Sequence, residues 1–291
     1  MTGVLWGLLG ATFIGTSDCV ARVTAQRVSM SVLLFAVMGL STVALTVWMA
    51  ATGDWPRWDG YAWLVSAISG LLNLLALYLL YTALARGPVS VASPAASSFS
   101  VVLVGINAIA GQPFVWEQLI AILMVFIGIA MLARRDQRGD AYDARYLRVT
   151  ALFGLGAAIV VAGRMFLAQE AADVLGSMEA LYLNRIFALA GVVCLLLTEF
   201  GTSKPQTWPS TRQTACLVAL QSLLETLALG SFLVGSQVGD RIGASIGFAS
   251  FAAVTAIAAK IWLGESIGWR RGLWMTWVAI GIGFAILSSP A

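Results

Sequence analysis

Four ionisable side chains fall inside long apolar runs: Asp18, Arg164, Arg185 and Glu225. A charge at the centre of a bilayer-spanning helix costs about 2.5–3.5 kcal/mol or more, so each marks a candidate substrate or ion pathway. Glu225 is the most informative. Thr214, Gln221, Glu225, Phe232 and Ser236 recur at spacings of seven and four, which puts them on one helical face. That stripe is too polar to face lipid. It reads as a cavity wall in which Glu225 meets a substrate ammonium or carries a proton. The alternative is a carboxylate paired with Arg164 or Arg185 in a dry interface. Asp18 is a second carboxylate that could take up a proton.

Arg164 has no acid three or four residues away on its own segment, so any partner must come from another helix. A guanidinium binds carboxylate or phosphate through a bidentate fork. Arg164 and Arg185 at similar depth therefore read as an anion-binding cavity or as an ion-pair network that closes one side. Aromatic residues expected near the midplane are Tyr78, Tyr81, Phe99, Tyr182, Phe248 and Phe251. Aromatic walls suit an apolar or aromatic substrate oriented by a few polar groups; packing is the competing explanation. Asn73 falls near the place in the first half that Glu225 takes in the second.

These residues need helices to position them. Of 291 residues, 59% are hydrophobic and 11% charged, against roughly 45–50% and about 25% in a soluble domain. The net charge is 17 − 14 = +3. So little charge does not fit nucleic-acid binding, which needs clustered Lys and Arg. The absence of histidine removes His metal sites, bases and proton relays. Cys19, Cys194 and Cys216 are scattered and read as small apolar residues. No cofactor or metal is implied. The first positive residue, Arg22, follows the first apolar run, so that run reads as a retained membrane helix rather than a signal peptide.

Ten apolar segments are expected, over residues 3–22, 29–51, 60–85, 88–110, 116–133, 147–170, 177–199, 212–235, 241–262 and 269–288. Runs this long in lipid must be helical. The fold class is therefore an all-α integral membrane protein. The longest charged stretch, Ala133 to Arg148, falls between segments five and six and reads as a linker. Loops after odd-numbered segments hold thirteen Lys and Arg: Arg22, Arg27, Arg86, five linker arginines, Lys204, Arg212, Lys260, Arg270 and Arg271. The other side holds two, Arg57 and Arg241. The bias puts the linker in the cytoplasm and both termini outside.

The halves repeat weakly. Gly111-Gln112-Pro113-Phe114-Val115-Trp116 aligns with Gly264-Glu265-Ser266-Ile267-Gly268-Trp269, an offset of 264 − 111 = 153, and Ile127-Gly128-Ile129 meets Ile280-Gly281-Ile282 at the same offset. Trp6-Gly7 meets Phe153-Gly154 at an offset of 153 − 6 = 147, which also sets Arg164 opposite Ser17. Five segments per half make the second half enter with opposite orientation. The expected architecture is ten transmembrane helices as two inverted five-helix repeats, residues 1–137 and 147–291, joined by a cytoplasmic linker, 138–146. Such repeats enclose a midplane site that opens to either side. Segment four carries Pro94, which removes a backbone hydrogen bond and should kink it. Segment nine carries Gly239, Gly243 and Gly247, a small-residue stripe. Pro94, Gly243 and Gly247 are the expected hinge positions.

Trp6-Gly7, Tyr81-Thr82-Ala83-Leu84, Gly264-Glu265 and the Gly281/Gly283 pair resemble the drug/metabolite transporter superfamily, EamA type, over the whole chain. The aromatic residues make it similar to the bacterial aromatic amino acid exporters of that family. One departure is Gly111-Gln112 where the second half keeps Gly264-Glu265. The resemblance implies a secondary transporter in the inner membrane that exports small metabolites, amino acids and aromatic ones among them. Its expected substrate-binding residues are Tyr78, Phe99, Glu225, Arg164, Asn73, Tyr81, Ser17, Gln221, Phe248 and Phe251. Its partners are the small-molecule substrate, the bilayer and protons if transport is proton-coupled. An organic anion or sugar-phosphate carrier using Arg164 and Arg185 is the alternative. An enzyme is disfavoured because no Gly-x-Ser-x-Gly, Walker loop or clustered acids occur. A channel is disfavoured because no selectivity-filter sequence is visible.

Overall fold

A computed structural model describes residues 2–86, 88–109, 143–200, 207–238, 250–262, 264 and 268–287, with helical positions 120, 123, 124, 127, 128, 131, 244, 247 and 248. Every regular element among them is helical. In chain order these are α1 (Thr2–Arg27), α2 (Met30–Thr52), α3 (Gly60–Arg86), α4 (Val89–Ser97), α5 (Phe99–Ile109), α6 (Ala144–Leu175), α7 (Ser177–Phe200), α8 (Arg212–Val238), α9 (Phe251–Trp262) and α10 (Trp269–Leu287). Most of segment five and of the 138–146 linker lies outside the described residues.

Local chemistry accounts for the ends. Gly53 stops α2 in the left-handed region (φ 78°), with its N–H on the Met49 carbonyl. Asp143 caps α6 from an extended conformation, its carboxylate accepting from the Ala144 N–H at 2.8 Å. Gly176, with φ 108°, turns the chain from α6 into α7 within one residue.

Helices α2, α3, α6, α7 and α8 are long and apolar enough to cross a bilayer. Their outward faces carry large exposed apolar side chains, among them Val43, Val47, Leu64, Leu71, Ile159, Leu197 and Leu223. A monomeric soluble protein rarely exposes apolar area on this scale, and lipid is the solvent that suits it. The chain is an integral membrane protein.

The largest interfaces join the two halves of the sequence. Helix α1 lies along α8 and against segment nine; α3 lies along α6 and α7; α2 packs on α7 and α8; α4 and α5 pack on α6. Gly7 and Gly154 permit two of these approaches. A Cβ on Gly7 would strike the backbone of segment nine at Ala244, Gly247 and Phe248. One on Gly154 would meet Ala92 and Ala95 of α4.

Segment four is not one continuous helix. It breaks at Ser98, one turn past Pro94, giving α4 and α5. The Ser98 hydroxyl donates to the Ala95 carbonyl at 2.7 Å, and the Ser98 carbonyl then starts α5. Segment nine turns in the same way at Ser250, whose hydroxyl donates to the Gly247 carbonyl at 2.6 Å before α9 begins at Phe251.

Candidate functional site

Helices α3, α7 and α8 bring Tyr81, Arg185 and Glu225 together. The Tyr81 hydroxyl donates to Glu225 Oε1. Arg185 donates through Nη2 to the Glu225 carbonyl at 3.5 Å and through Nη1 to Met38 Sδ at 3.4 Å. All three are buried. A carboxylate in such a place needs hydrogen bonds and a counter-charge; Tyr81 supplies the first and Arg185 the second. Gln221, one turn before Glu225, lies beside both Tyr81 and Glu225. Its Oε1 accepts from Thr24 of α1 at 2.6 Å, and its carbonyl accepts from Ser17 at 3.5 Å.

Arg164, on α6, feels the charges of Arg185 and Glu225. It is 9% exposed, and its Nε and Nη1 are buried without a hydrogen-bond partner. Asp18 forms a second polar knot, accepting from Ser93 of α4 at 3.2 Å and Thr255 of α9 at 3.3 Å. It is close enough to Glu225 for their charges to repel.

Four phenylalanines form an aromatic cluster. Phe99 stacks on Phe251 at 6.2 Å and meets Phe248 edge-on at 6.0 Å; Phe248 in turn meets Phe232 at 5.3 Å. These geometries are favourable for aromatic pairs. Phe99 and Phe251 are the residues that follow the Ser98 and Ser250 breaks.

The two ends of the bundle differ. At the end holding Arg86, Arg22 of α1 donates to the Leu84 and Ala85 carbonyls, closing the α3 terminus. There Tyr146 donates to the Arg86 carbonyl at 2.8 Å while the Arg86 guanidinium covers its ring at 4.6 Å. At the opposite end a polar cavity of about 470 Å³ lies between the α2–α3 loop, the α6–α7 turn and the end of α8, lined by Asp54, Arg57, Asp173, Glu179 and Gln237 among others.

The structure therefore brings Ser17, Tyr81, Gln221 and Glu225 into one group and Phe99, Phe248 and Phe251 into another. Asn73 donates to Met38 Sδ at 3.7 Å, the same sulfur that Arg185 bonds. Tyr78 is 44% exposed and joins neither group. Pro94 lies in α4 and Gly247 at the Ser250 turn; Gly243 lies outside the described residues. Sequence reasoning missed Thr24, Ser93 and Thr255. They are small hydroxyl residues whose role comes from partners distant in sequence.

Residues 1–134 match the EamA-like transporter family. This is a family of membrane transporters of small molecules rather than of enzymes, and it bears out the resemblance drawn from Trp6-Gly7 and Tyr81-Thr82-Ala83-Leu84. The chain is also similar to a protein of known crystal structure, with a TM-score of 0.71 and 16% identity, covering 99% of this chain and 97% of the other. At that identity the likeness concerns the fold. No curated protein matches the chain.

Proposed function

We propose that the protein is a secondary transporter in the inner membrane that exports amino acids, aromatic ones included, by alternating access between two inverted five-helix repeats. The repeats are residues 1–137 and 147–291, with the 138–146 linker cytoplasmic and both termini outside. Pairwise matching of interfaces supports this. Exchanging segments one and six, three and eight, and four and nine turns the α1–α8 contact into the α6–α3 contact. It likewise turns Gly7 against segment nine into Gly154 against α4. The Ser98-Phe99 and Ser250-Phe251 breaks correspond at an offset of 250 − 98 = 152. Interrupted helices at a repeat interface are where transporters of this type bind their cargo.

The unpartnered guanidinium nitrogens of Arg164 carry the substrate assignment. A buried cation with free donors is complementary to a carboxylate. In this reading Arg164 takes the substrate carboxylate, Glu225 with Tyr81 and Gln221 faces its ammonium, and Phe99, Phe248 and Phe251 hold its side chain. Pro94 and the Ser98 and Ser250 breaks let segments four and nine rock. Unpartnered nitrogens on both Arg164 and Arg185 favour a second reading, an organic anion or sugar-phosphate carrier using these two residues. Counterflow in proteoliposomes separates them. Saturable exchange of phenylalanine or tryptophan, abolished by Arg164→Ala, supports amino acid export. Exchange of hexose phosphate alone supports the anion carrier. Retention of pH-driven accumulation by Glu225→Gln would remove Glu225 as a proton site.

A further inference from the structure

An apolar groove of about 350 Å³ lies between α2 and the entry to α8. Its lining mixes small residues, Ala36 and Gly39 of α2 with Ala215 and Val218 of α8, and larger ones, Phe35, Leu40 and Trp208. Gly39 is the informative position. Its φ is not in the left-handed region, and a Cβ there would meet only a Leu189 methyl at 3.9 Å. Neither backbone conformation nor packing demands a glycine, and glycine weakens a helix relative to alanine. Its effect is to keep space open in the groove.

The groove has the depth of a leaflet. Phe35 and Leu40 stand five and ten residues beyond Met30, the first residue of α2. At about 1.5 Å per residue that is roughly 7.5 and 15 Å inward, and one leaflet is half of a hydrocarbon core about 30 Å thick. Trp208 is half exposed and stands before α8, as a tryptophan at the membrane–water boundary does.

The mouth is basic. Arg212 opens α8, three residues after Pro209 and three before Ala215, both of which line the groove. Arg27 ends α1; two residues on, the Ser29 N–H donates to the Thr207 carbonyl at 3.0 Å, beside Trp208. Both arginines are exposed, and among the described residues no carboxylate lines the groove. A guanidinium pairs with phosphate through two parallel hydrogen bonds.

A phospholipid of net negative charge matches both parts, with one acyl chain in the cleft and its phosphate beside the two arginines. We propose that this groove is a specific binding site for an anionic phospholipid. It lies on the seam between the two halves of the sequence: Val218 is one turn before Ser222, whose hydroxyl donates to the Val37 carbonyl of α2 at 2.8 Å. The seated lipid therefore borders the α2–α8 contact. A zwitterionic lipid fills the same cleft but leaves the arginines unmatched. The site is independent of which substrate the protein carries.

Native mass spectrometry of the delipidated chain in detergent tests this, with dioleoyl phosphatidylglycerol and dioleoyl phosphatidylcholine titrated separately. Their acyl chains are identical, so only the headgroup differs. Phosphatidylglycerol should bind at least tenfold more tightly. A cationic side chain near a lipid headgroup is worth about a fivefold gain, so Arg212→Ala should weaken phosphatidylglycerol by about that factor. Arg27→Ala with Arg212→Ala should weaken it by roughly twenty-five-fold if the two add. Phosphatidylcholine should stay within twofold in both, and Arg57→Ala, at the opposite end, should change neither lipid. Gly39→Leu fills the cleft and should weaken both lipids. The arginine variants decide the proposal even where Gly39→Leu fails to fold. Equal binding of the two lipids would mark ordinary surrounding lipid and overturn it. So would unchanged phosphatidylglycerol affinity in the double arginine variant, or in a folded Gly39→Leu protein.

Discussion

At the scale of single residues, the two buried arginines behave differently. Arg185 is engaged by Met38 and by the Glu225 backbone, and its charge faces Glu225. Removing one member of such a pair leaves the other charge buried and alone, at about 3–5 kcal/mol. Arg185→Leu and Glu225→Leu should therefore each destabilise by about that amount, and the double variant should lose less than the sum of the two. Denaturant unfolding in micelles reads this cycle, and additive losses would show that the pair does not interact. Arg164 shares the field of Glu225, but its Nε and Nη1 have no hydrogen-bond partner among the described residues. Arg164→Ala should leave stability within about 1 kcal/mol, since little is left unpaired by its removal. The same variant should lower exchange at least tenfold, as one decade corresponds to about 1.4 kcal/mol of lost binding. A large drop in unfolding stability with normal exchange would make Arg164 a structural residue.

At the scale of elements, close backbone approach and helix interruption dominate. Gly7 and Gly154 each stand where a side chain would meet another helix's backbone, which cannot swing aside. Gly7→Leu and Gly154→Leu should both reduce folded yield sharply, as overpacking against fixed atoms does. Gly156→Ala, whose added carbon meets only the Leu79 side chain at 3.7 Å, should be tolerated. Size-exclusion profiles of the three proteins check the contrast. Pro94→Ala should restore the bond from residue 94 to the carbonyl one turn earlier, stiffen α4 and slow exchange, read by spin-label distances across segment four together with transport rates. A straight segment four with unchanged transport would deny the break a role.

Much of this scale was legible in the sequence. Apolar runs bounded by Gly, Pro and charge marked the helices, because lipid leaves the backbone no other way to satisfy itself. Phe99, Phe248 and Phe251, expected near the midplane, do lie together. The break at Ser98 was legible only as the kink expected from Pro94; its place was not, since Ser41, Thr198 and Ser236 make the same bond to a carbonyl three residues back inside unbroken helices. Nor was the separation of Tyr78 from Tyr81. The two are one turn apart, and only the packing of α3 on its neighbours decides which of them is buried.

At the scale of the whole molecule, the interior balances two acids against two arginines and divides them between two polar knots. Asp18 ties α1 to α4 and α9, while Glu225 joins α8 to α3 and α7. The helices proposed to rock thus meet at Asp18. At the end holding Arg86, Arg22 and Tyr146 bridge further helices, and the opposite end carries the polar cavity. In the proposed orientation the cavity end is the outside. A tag at Ala291 should therefore be reached by antibody on intact spheroplasts. Reaction only after lysis would reverse the orientation.

The measurement that tests the central claim most directly is counterflow in proteoliposomes with labelled phenylalanine and labelled hexose phosphate, for the unaltered chain and for Arg164→Ala. The account predicts saturable phenylalanine exchange that Arg164→Ala lowers at least tenfold, with no exchange of the phosphate. Phosphate exchange without phenylalanine exchange would contradict it.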